Sequence, residues 1–475
     1  MPRSRPTPAV SAPRRVRLWA AGLALVLPLA ASAQPVSSRP HPALAAPSPS
    51  EFGSADDLFE RGSGRPEREA TAVGLFGGAA YLPDTWRGAV RAEAEGSRGP
   101  VSAAVSATLH PAAGGLYGPE ADELYDVLRA VDYVRLDAPA GRPVYVRLGP
   151  TQHVTLGAGA LARQYRTTTA WDARTLGVEA AARAGRFEVA AFADDVRLGG
   201  VVGGEAGVRT PFAVGPLGGL RLTVGAVHDL GLPASGDSSL TGVEATVRGD
   251  FAGGRFADDA PFGVSPFVTA ARYLGAGSTL GAGADVDVFR FSDALRARLR
   301  AAVFVSSARF VPGHVGPFYA VSNADERVVF GLGEADGGGL VGTPLDSLRA
   351  GVDVVVDVRF LAFGRFEVSQ HVRRHVGADR ASAYSLRLAA RLPRRARAEL
   401  AVERQGFRGL WSFLGGLGDE NALVLDVVAP VGRTAQAFVR SRYGYRRLDD
   451  AVAGPGRFLT ERRFEPLVGV RVGLR

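Results

Sequence analysis

Residues 464–475 read FEPLVGVRVGLR, and two kinds of side chain alternate along them. The even-numbered positions are all apolar, whereas the odd-numbered positions include Glu465, Arg471 and Arg475. A period of two residues is the signature of a β-strand that has one apolar and one polar face. This stretch therefore predicts a strand that lies between an apolar and a polar environment.

The same alternation recurs through residues 71–475 and predicts an all-β protein. The segments that show it lie at roughly 73–81, 86–96, 101–109, 174–183, 186–194, 200–210, 219–229, 239–249, 264–273, 279–289, 296–306, 346–358, 361–373, 382–391, 394–405, 421–430, 433–445 and 464–474. We expect a transmembrane antiparallel β-barrel of about 18 strands, in the range 16–20. Residues 120–130 (EADELYDVLRA) predict one short helix in an insert.

The connections between these segments alternate in length. Counted back from the C-terminus they are long (446–463), short (431–432), long (406–420) and very short (392–393). Short turns on one side and long loops on the other are typical of an outer-membrane barrel. The pattern predicts an outer-membrane location with the N- and C-termini on the short-turn, periplasmic side.

A secreted all-β protein, such as a propeller or a tandem array of sandwiches, is the alternative. Its strands also alternate, but its core is bulky and apolar. A packed core cannot enclose Arg296, Arg298 and Arg300 with Asp285 and Asp287 without a severe desolvation cost, whereas a water-filled lumen can hold them. The charges therefore favour the barrel.

The polar faces supply the candidate pore-lining residues. They carry both signs of charge, which predicts either a transverse field that favours small polar solutes or cross-strand ion pairs that stiffen the wall. The pore-lining candidates are Arg296, Arg298, Arg300, Asp353, Asp357, Arg365, Glu367, Arg387, Arg395, Arg397, Glu399, Arg440, Arg442 and Arg471.

Two long insertions interrupt the strand pattern. Residues 307–345 are predicted to be a long extracellular loop or a constriction loop, whose acidic candidates are Asp325, Glu326, Glu334 and Asp336. Residues 110–173 hold the predicted helix. They are expected to add two strands or to form a plug-like insert inside or over the barrel.

The N-terminus predicts export. Five arginines precede the apolar run LWAAGLALVLPLA (18–30), and Ala31-Ser32-Ala33 forms a cleavage signal, so residues 1–33 are expected to be a signal peptide. Residues 34–70 are expected to be a Pro-rich linker and an N-terminal periplasmic segment. Removal of residues 1–33 lowers the formal net charge from +8 to +3, which gives no support for nucleic-acid binding.

The composition argues against an enzyme. The chain has no Cys, which excludes thiolate metal sites, Fe–S clusters and Cys nucleophiles. His371 and His375 have a helical metal-ligand spacing, but on a strand they are about 13 Å apart, too far for one ion. We expect no catalytic residue, no cofactor site and no metal site.

Several stretches resemble uncharacterised porin-like outer-membrane proteins. They are YVRLGP (145–150), TLGAGALARQY (155–165), TTT (167–169), VVGGEAGVRTPF (201–212) and FVPGHVGPFYAV (310–321). The Tyr-x-Arg-x-Gly piece is similar to a strand of phosphate-selective-type porins. The resemblance implies a barrel and transport, and it names no substrate or site residue.

Together these features predict a channel for passive diffusion of small hydrophilic solutes. The alternatives are a fatty-acid-type transporter of hydrophobic substrates and a structural or adhesive outer-membrane barrel. The expected partners are outer-membrane lipid, the barrel-assembly machinery during biogenesis and small solutes, without nucleic acid. The sequence predicts no oligomeric state.

Overall fold

The computed structural model describes most of the chain between Thr71 and Gly473. The predicted signal peptide and linker, residues 1–70, lie outside the described residues. The described residues are 71–82, 85–98, 101–112, 115–117, 125–137, 144–151, 154–169, 174–210, 217–230, 240–251, 262–275, 277–292, 295–307, 310–316, 319, 348–360, 366–375, 382–391, 396–405, 421–431, 435–447 and 458–473.

Twenty-two strands and one short helix, α1 (Asp126–Arg129), lie in this part of the chain. The strands are β1 Thr71–Leu82, β2 Thr85–Arg98, β3 Val101–Leu109, β4 Pro111–Ala112, β5 Gly115–Leu116, β6 Val131–Asp137, β7 Val144–Gly149, β8 Gly177–Ala184, β9 Phe187–Ala193, β10 Val201–Arg209, β11 Leu217–Asp229, β12 Leu240–Phe251, β13 Phe262–Tyr273, β14 Gly277–Ser292, β15 Leu295–Ser307, β16 Leu348–Phe360, β17 Phe366–His375, β18 Ala383–Arg391, β19 Arg397–Gln405, β20 Asn421–Val431, β21 Ala435–Arg447 and β22 Phe458–Gly473.

Twenty of these strands form one closed antiparallel barrel. Each strand pairs with the next one along the chain, except that β3 pairs directly with β6. The small hairpin β4–β5 forms a separate sheet. The ring closes where β22 pairs with β1, with Ala72 opposite Gly473 and Leu75 opposite Val470. Closure gives both edges of every barrel strand a hydrogen-bonding partner.

The even number of strands places Thr71 and Gly473 on the same rim. The same rim carries short connections, such as those between β2 and β3, between β8 and β9, and between β14 and β15. The opposite rim, which we call the loop rim, carries the connections 110–130, 150–176 and 308–347. The predicted asymmetry of the connections is therefore present in the barrel.

Side chains alternate between the outside and the enclosed side of the barrel. In β13, Val268 is 51% exposed and its neighbour Thr269 is 1% exposed. In β22, Val470 is 48% exposed, whereas Glu465 is 6% exposed. The described even-numbered positions of the 464–475 stretch thus lie on the outward side, and its acidic residue faces inward. An apolar exterior around a polar interior is opposite to the arrangement of a water-soluble β-protein.

The predicted fold class is confirmed, and the strand number of 20 falls within the predicted range. The additional strands β6 and β7 come from the region 110–173. They are six or seven residues long, which is too short for a strong alternating signal. Residues 125–130 are the described part of the predicted 120–130 helix, and they contain α1. No helix in the described ranges is both long and apolar enough to cross a membrane.

The outward apolar face makes a direct prediction at Val268, near the middle of β13. Val268→Arg is expected to destabilise the barrel in a lipid bilayer by about 2–4 kcal/mol, the cost of a lipid-facing cation near the midplane. Equilibrium unfolding in denaturant would measure this change, with Val268→Leu as the near-neutral control. Equal stability of the two variants would contradict a lipid-facing position.

Candidate functional site

A segment of the long connection between β7 and β8 lies inside the barrel. Residues 154–169, which we call the inner segment, are almost all buried. Val154 and Tyr165 exchange two backbone hydrogen bonds, of 3.0 and 2.9 Å, so the segment folds back on itself. Because the segment forms hydrogen bonds between some of its own backbone N–H and C=O groups, it can occupy an enclosed position away from the wall strands.

A second turn, residues 310–316, packs against the inner segment. Gly313 donates its N–H to the Ala160 carbonyl at 2.7 Å, and Arg163 donates its N–H to the Val315 carbonyl at 3.0 Å. The Phe310 ring lies 5.0 Å from the ring of Tyr273 on β13. The two pieces therefore form one body that reaches into the barrel from the loop rim.

Glu244 on β12 anchors the inner segment to the wall. Its carboxylate accepts the backbone N–H groups of Ala158 at 2.6 Å and of Ala160 and Leu161 at 3.1 Å each. The hydroxyls of Thr246 and Thr269 complete the set, at 3.2 and 3.0 Å. An ionised carboxylate is a pure acceptor and matches five donors, which makes this a strong, charge-assisted contact.

The backbone conformation around this anchor requires glycine at position 157. Gly157 has φ +54°, a conformation that side chains rarely adopt. A Cβ at this position would also lie 2.5 Å from Oε1 of Glu244. The glycines of the 155–159 stretch therefore permit the close approach of the backbone to the carboxylate.

Two arginines of the inner segment reach the wall at other points. Arg163 pairs with Asp353 on β16, and Arg166 pairs with Glu403 on β19. In the reverse direction, Arg373 on β17 donates to the Pro312 carbonyl at 2.8 Å and to the Gly159 carbonyl at 3.1 Å. The wall contacts on β12, β16, β17 and β19 show that the inner segment spans part of the lumen.

We call the inner segment, together with residues 310–316 and Tyr319, the inner body, and its boundary with the ends of β9, β10 and β11 the seam. Two tyrosines bridge this seam. The Tyr165 hydroxyl donates to Asp194, in the turn after β9, and the Tyr319 hydroxyl donates to Asp229 at the end of β11. The two rings contact each other edge-on at 6.1 Å. Burial raises the pKa of Asp194 to about 6, against the lowering effect of its hydrogen bonds from Tyr165 and Val201.

A separate contact holds the connection after β3 against the wall. His110, which is fully buried, lies 3.4 Å from Glu465 on β22. Tyr117 donates its hydroxyl to Glu461 at 2.8 Å. Burial is the largest cause that raises the pKa of Tyr117, to about 12, so the hydroxyl remains a donor.

The structure describes the side chains of five predicted pore-lining residues. Arg300, Asp353, Glu399 and Arg440 are buried on the inner face, and Arg442 is half-buried. Arg440 forms a bidentate pair with Asp426 on the neighbouring strand, with two contacts of 2.9 Å. Asp353 instead forms an ion pair with the inner segment. The predicted pore-lining residues therefore include some that pair within the wall and at least one that pairs with the inner segment.

The side chains of the other candidates are not among those that the structure describes. Asp325, Glu326, Glu334 and Asp336 of the predicted constriction loop, and Arg365 and Arg395 of the predicted pore lining, lie outside the described residues. The remaining pore-lining candidates are on described strands, but their side chains are not described: Arg296, Arg298, Asp357, Glu367, Arg387, Arg397 and Arg471. Their role in a pore stays a prediction.

No local pattern in the sequence identifies which residues hold the inner segment. Arg163 and Asp353 are 190 positions apart, and Arg166 and Glu403 are 237 positions apart. Glu244 stands among the polar positions of a strand and has no pattern that distinguishes it. The closely spaced glycines 157 and 159 were the only local indication of an unusual backbone in this region.

The chain is thus a closed antiparallel barrel with an apolar outer face and a charged inner face, the architecture of porin-like outer-membrane proteins. No family model matches it, and no curated protein matches it. Outer-membrane proteins from Pseudomonas aeruginosa are among the solved structures that match the chain.

The outer membrane protein opdK is 10% identical, with a TM-score of 0.30, over 85% of this chain and 98% of that chain. OpdQ is 9% identical, with a TM-score of 0.33, over 85% and 96%. OccK2 (OpdF), crystallised in complex with glucuronate, is 12% identical, with a TM-score of 0.31, over 86% and 96%. At these identities and scores no substrate and no site residue passes from those proteins to this chain.

The Glu244 anchor is expected to determine how firmly the inner segment is held. Glu244→Gln replaces one acceptor oxygen by an NH₂ group that faces N–H donors. We expect a loss of about 2 kcal/mol, the range for a hydrogen bond to a charged group. Hydrogen exchange of the 158–161 amides should become roughly thirtyfold faster. Asp426→Asn, in a pair between two wall strands, is the matched control and should leave these amides unchanged.

Proposed function

We propose that this protein is an outer-membrane channel for passive diffusion of small hydrophilic solutes and that the inner segment narrows it. The observation that carries the proposal is the closed ring of 20 strands with apolar residues outside and charged residues inside. A ring of this size is wider than its wall side chains can fill, whereas an eight-stranded barrel is filled by them.

The charges of the wall support a polar path. The carboxylate of Asp285 on β14 lies 2.6 Å from the guanidinium of Arg248 on β12 and 3.4 Å from the guanidinium of Arg300 on β15. Such pairs keep charge on the inner face at a lower desolvation cost than isolated ions. A hydrophobic substrate would gain nothing from this lining, so the wall favours hydrophilic solutes over the fatty-acid-type alternative.

The position of the inner segment supports a narrowed mouth. Its wall contacts lie within about five residues of the loop rim: Glu244 near the start of β12, Asp353 near the start of β16 and Glu403 near the end of β19. We infer that the constriction is formed by residues 154–169 together with 310–316. The acidic part of 307–345 remains a candidate for an additional contribution.

The orientation follows from the barrel's two rims. Short connections in outer-membrane barrels face the periplasm. We therefore assign the rim with Thr71 and Gly473 to the periplasm and the loop rim, with the inner segment beneath it, to the cell exterior.

Planar-bilayer recordings test the proposal. We expect small, stable conductance steps from the intact protein and larger steps from Glu244→Gln, because a loosened inner segment obstructs less of the lumen. Val268→Leu, on the outer face of β13, should conduct like the unaltered protein. A barrel that remains closed in all three forms would contradict the channel and favour a hydrophobic-substrate transporter or a structural barrel.

Arg300 provides a test of ion preference. Arg300 is 1% exposed, and its guanidinium lies 4.7 Å from the centre of the Phe267 ring and 3.4 Å from Asp285. Loss of this cation removes one of the two arginine partners of Asp285, and the resulting excess of negative charge on the wall favours cations. Arg300→Gln is expected to shift the reversal potential in a salt gradient toward cation preference, whereas Arg300→Lys should keep the original sign.

A further inference from the structure

Asp194 is a buried carboxylate at the seam between the inner segment and the wall. It is 6% exposed, and no basic side chain in the described ranges forms an ion pair with it. Its Oδ2 accepts the Tyr165 hydroxyl of the inner segment, and its Oδ1 accepts the Val201 N–H at 2.9 Å. Two neutral donors compensate an ionised carboxylate only in part at this degree of burial.

The charged and titratable groups around Asp194 add mostly negative charge. Asp195 precedes Arg197 in the same turn and pairs with it at 2.6 Å, so Arg197 is engaged by the neighbouring carboxylate. The other groups that face this seam are Tyr125, whose hydroxyl donates to Asp195, Tyr165 and Tyr319 from the inner body, Asp229 on β11, and His314, whose ring lies 5.0 Å from that of Tyr319. Nearby carboxylates favour the protonated form of Asp194.

We propose that Asp194 is a proton-sensitive latch that holds the inner segment in the closed position when it is protonated and weakens its hold when it ionises. The inference rests on the proposed channel only for its consequence on conduction. The latch itself is a property of the burial of Asp194 at this contact, because burial favours the protonated carboxyl and outweighs the hydrogen bonds from Tyr165 and Val201, which favour the ionised one. A protonated carboxyl can be buried against Tyr165 at low cost, whereas an ionised one regains hydration when the segment leaves the seam.

The direction of the effect follows from linkage. The pKa of Asp194 is about 6 with the segment in place, and a released, hydrated Asp194 has its ordinary value of 3.8. The closed form therefore binds the proton more tightly, and its stability is greatest below the ordinary pKa and falls as the pH rises to about 6. A difference of about two pKa units corresponds to roughly a hundredfold change in the ratio of closed to open forms between pH 4 and pH 7.

Hydrogen exchange in detergent micelles tests the latch without any need for conduction. After correction for intrinsic rates, the amides of residues 154–169 should exchange up to roughly a hundredfold faster at pH 7 than at pH 4. Amides of β13 serve as the internal reference. Asp194→Asn mimics the protonated acid, since its oxygen can accept from Val201 and its NH₂ can donate to Tyr165, so this variant should stay protected across the range.

Conductance recorded over the same pH range separates the two proposals. The intact protein should conduct more at pH 7 than at pH 4, Asp194→Asn should remain in the low-conductance form, and Val268→Leu should follow the intact protein. A pH-dependent exchange in a barrel that never conducts would keep the latch and overturn the channel. Exchange that does not change with pH, or that changes equally in Asp194→Asn, would overturn the latch.

Discussion

The pairing of β22 with β1 is the contact on which the rest of the structure depends. In a hydrocarbon environment every backbone N–H and C=O must find a partner, and an open sheet would leave two strands with unpaired edges. The register that joins Ala72 to Gly473 closes the ring. It also determines the faces, because closure places the outward positions of the alternating sequence on one mostly apolar surface.

Closure of so many strands creates an interior that the wall cannot fill. Part of that interior is occupied by the inner segment and the turn at 310–316, which are small-residue-rich and carry their own backbone hydrogen bonds. Their arginines meet carboxylates of the wall, and the Glu244 carboxylate meets backbone N–H groups. Buried pairs of this kind add little net stability compared with apolar packing, but the loss of one partner is costly, so they specify position.

The contacts of the inner body differ in how completely each buried charge is compensated by its partners. Arg163 with Asp353, and Glu244 with its five donors, join opposite charges or match donors to acceptors. At Asp194 the carboxylate meets hydroxyl and amide donors without a cation. The contacts with β12 and β16 therefore hold the inner body whatever the protonation state of Asp194, whereas the contact at the seam with β9 and β10 depends on that state. This is the arrangement expected of a segment that moves about one end.

The fold class, the outward and inward faces and the asymmetry of the rims can all be read from the sequence alone. The reason is that a period of two residues and the length of a connection are local properties, readable in a stretch such as 464–475. The sequence did not locate β6 and β7 within residues 110–173, because these short strands carry too few alternations. It also predicted only that residues 110–173 enter or cover the barrel, or add strands, without deciding among these.

Which residues fill the lumen, and which contacts hold them there, depends on the tertiary structure. Arg163 meets Asp353, Arg166 meets Glu403 and Tyr165 meets Asp194 because closing the ring brings distant strands to opposite sides of one small space. No local pattern encodes a distance across a barrel, since that distance depends on the number and register of all the strands between. The site therefore forms only when the barrel closes, whereas the strands that build it can be predicted from local sequence patterns.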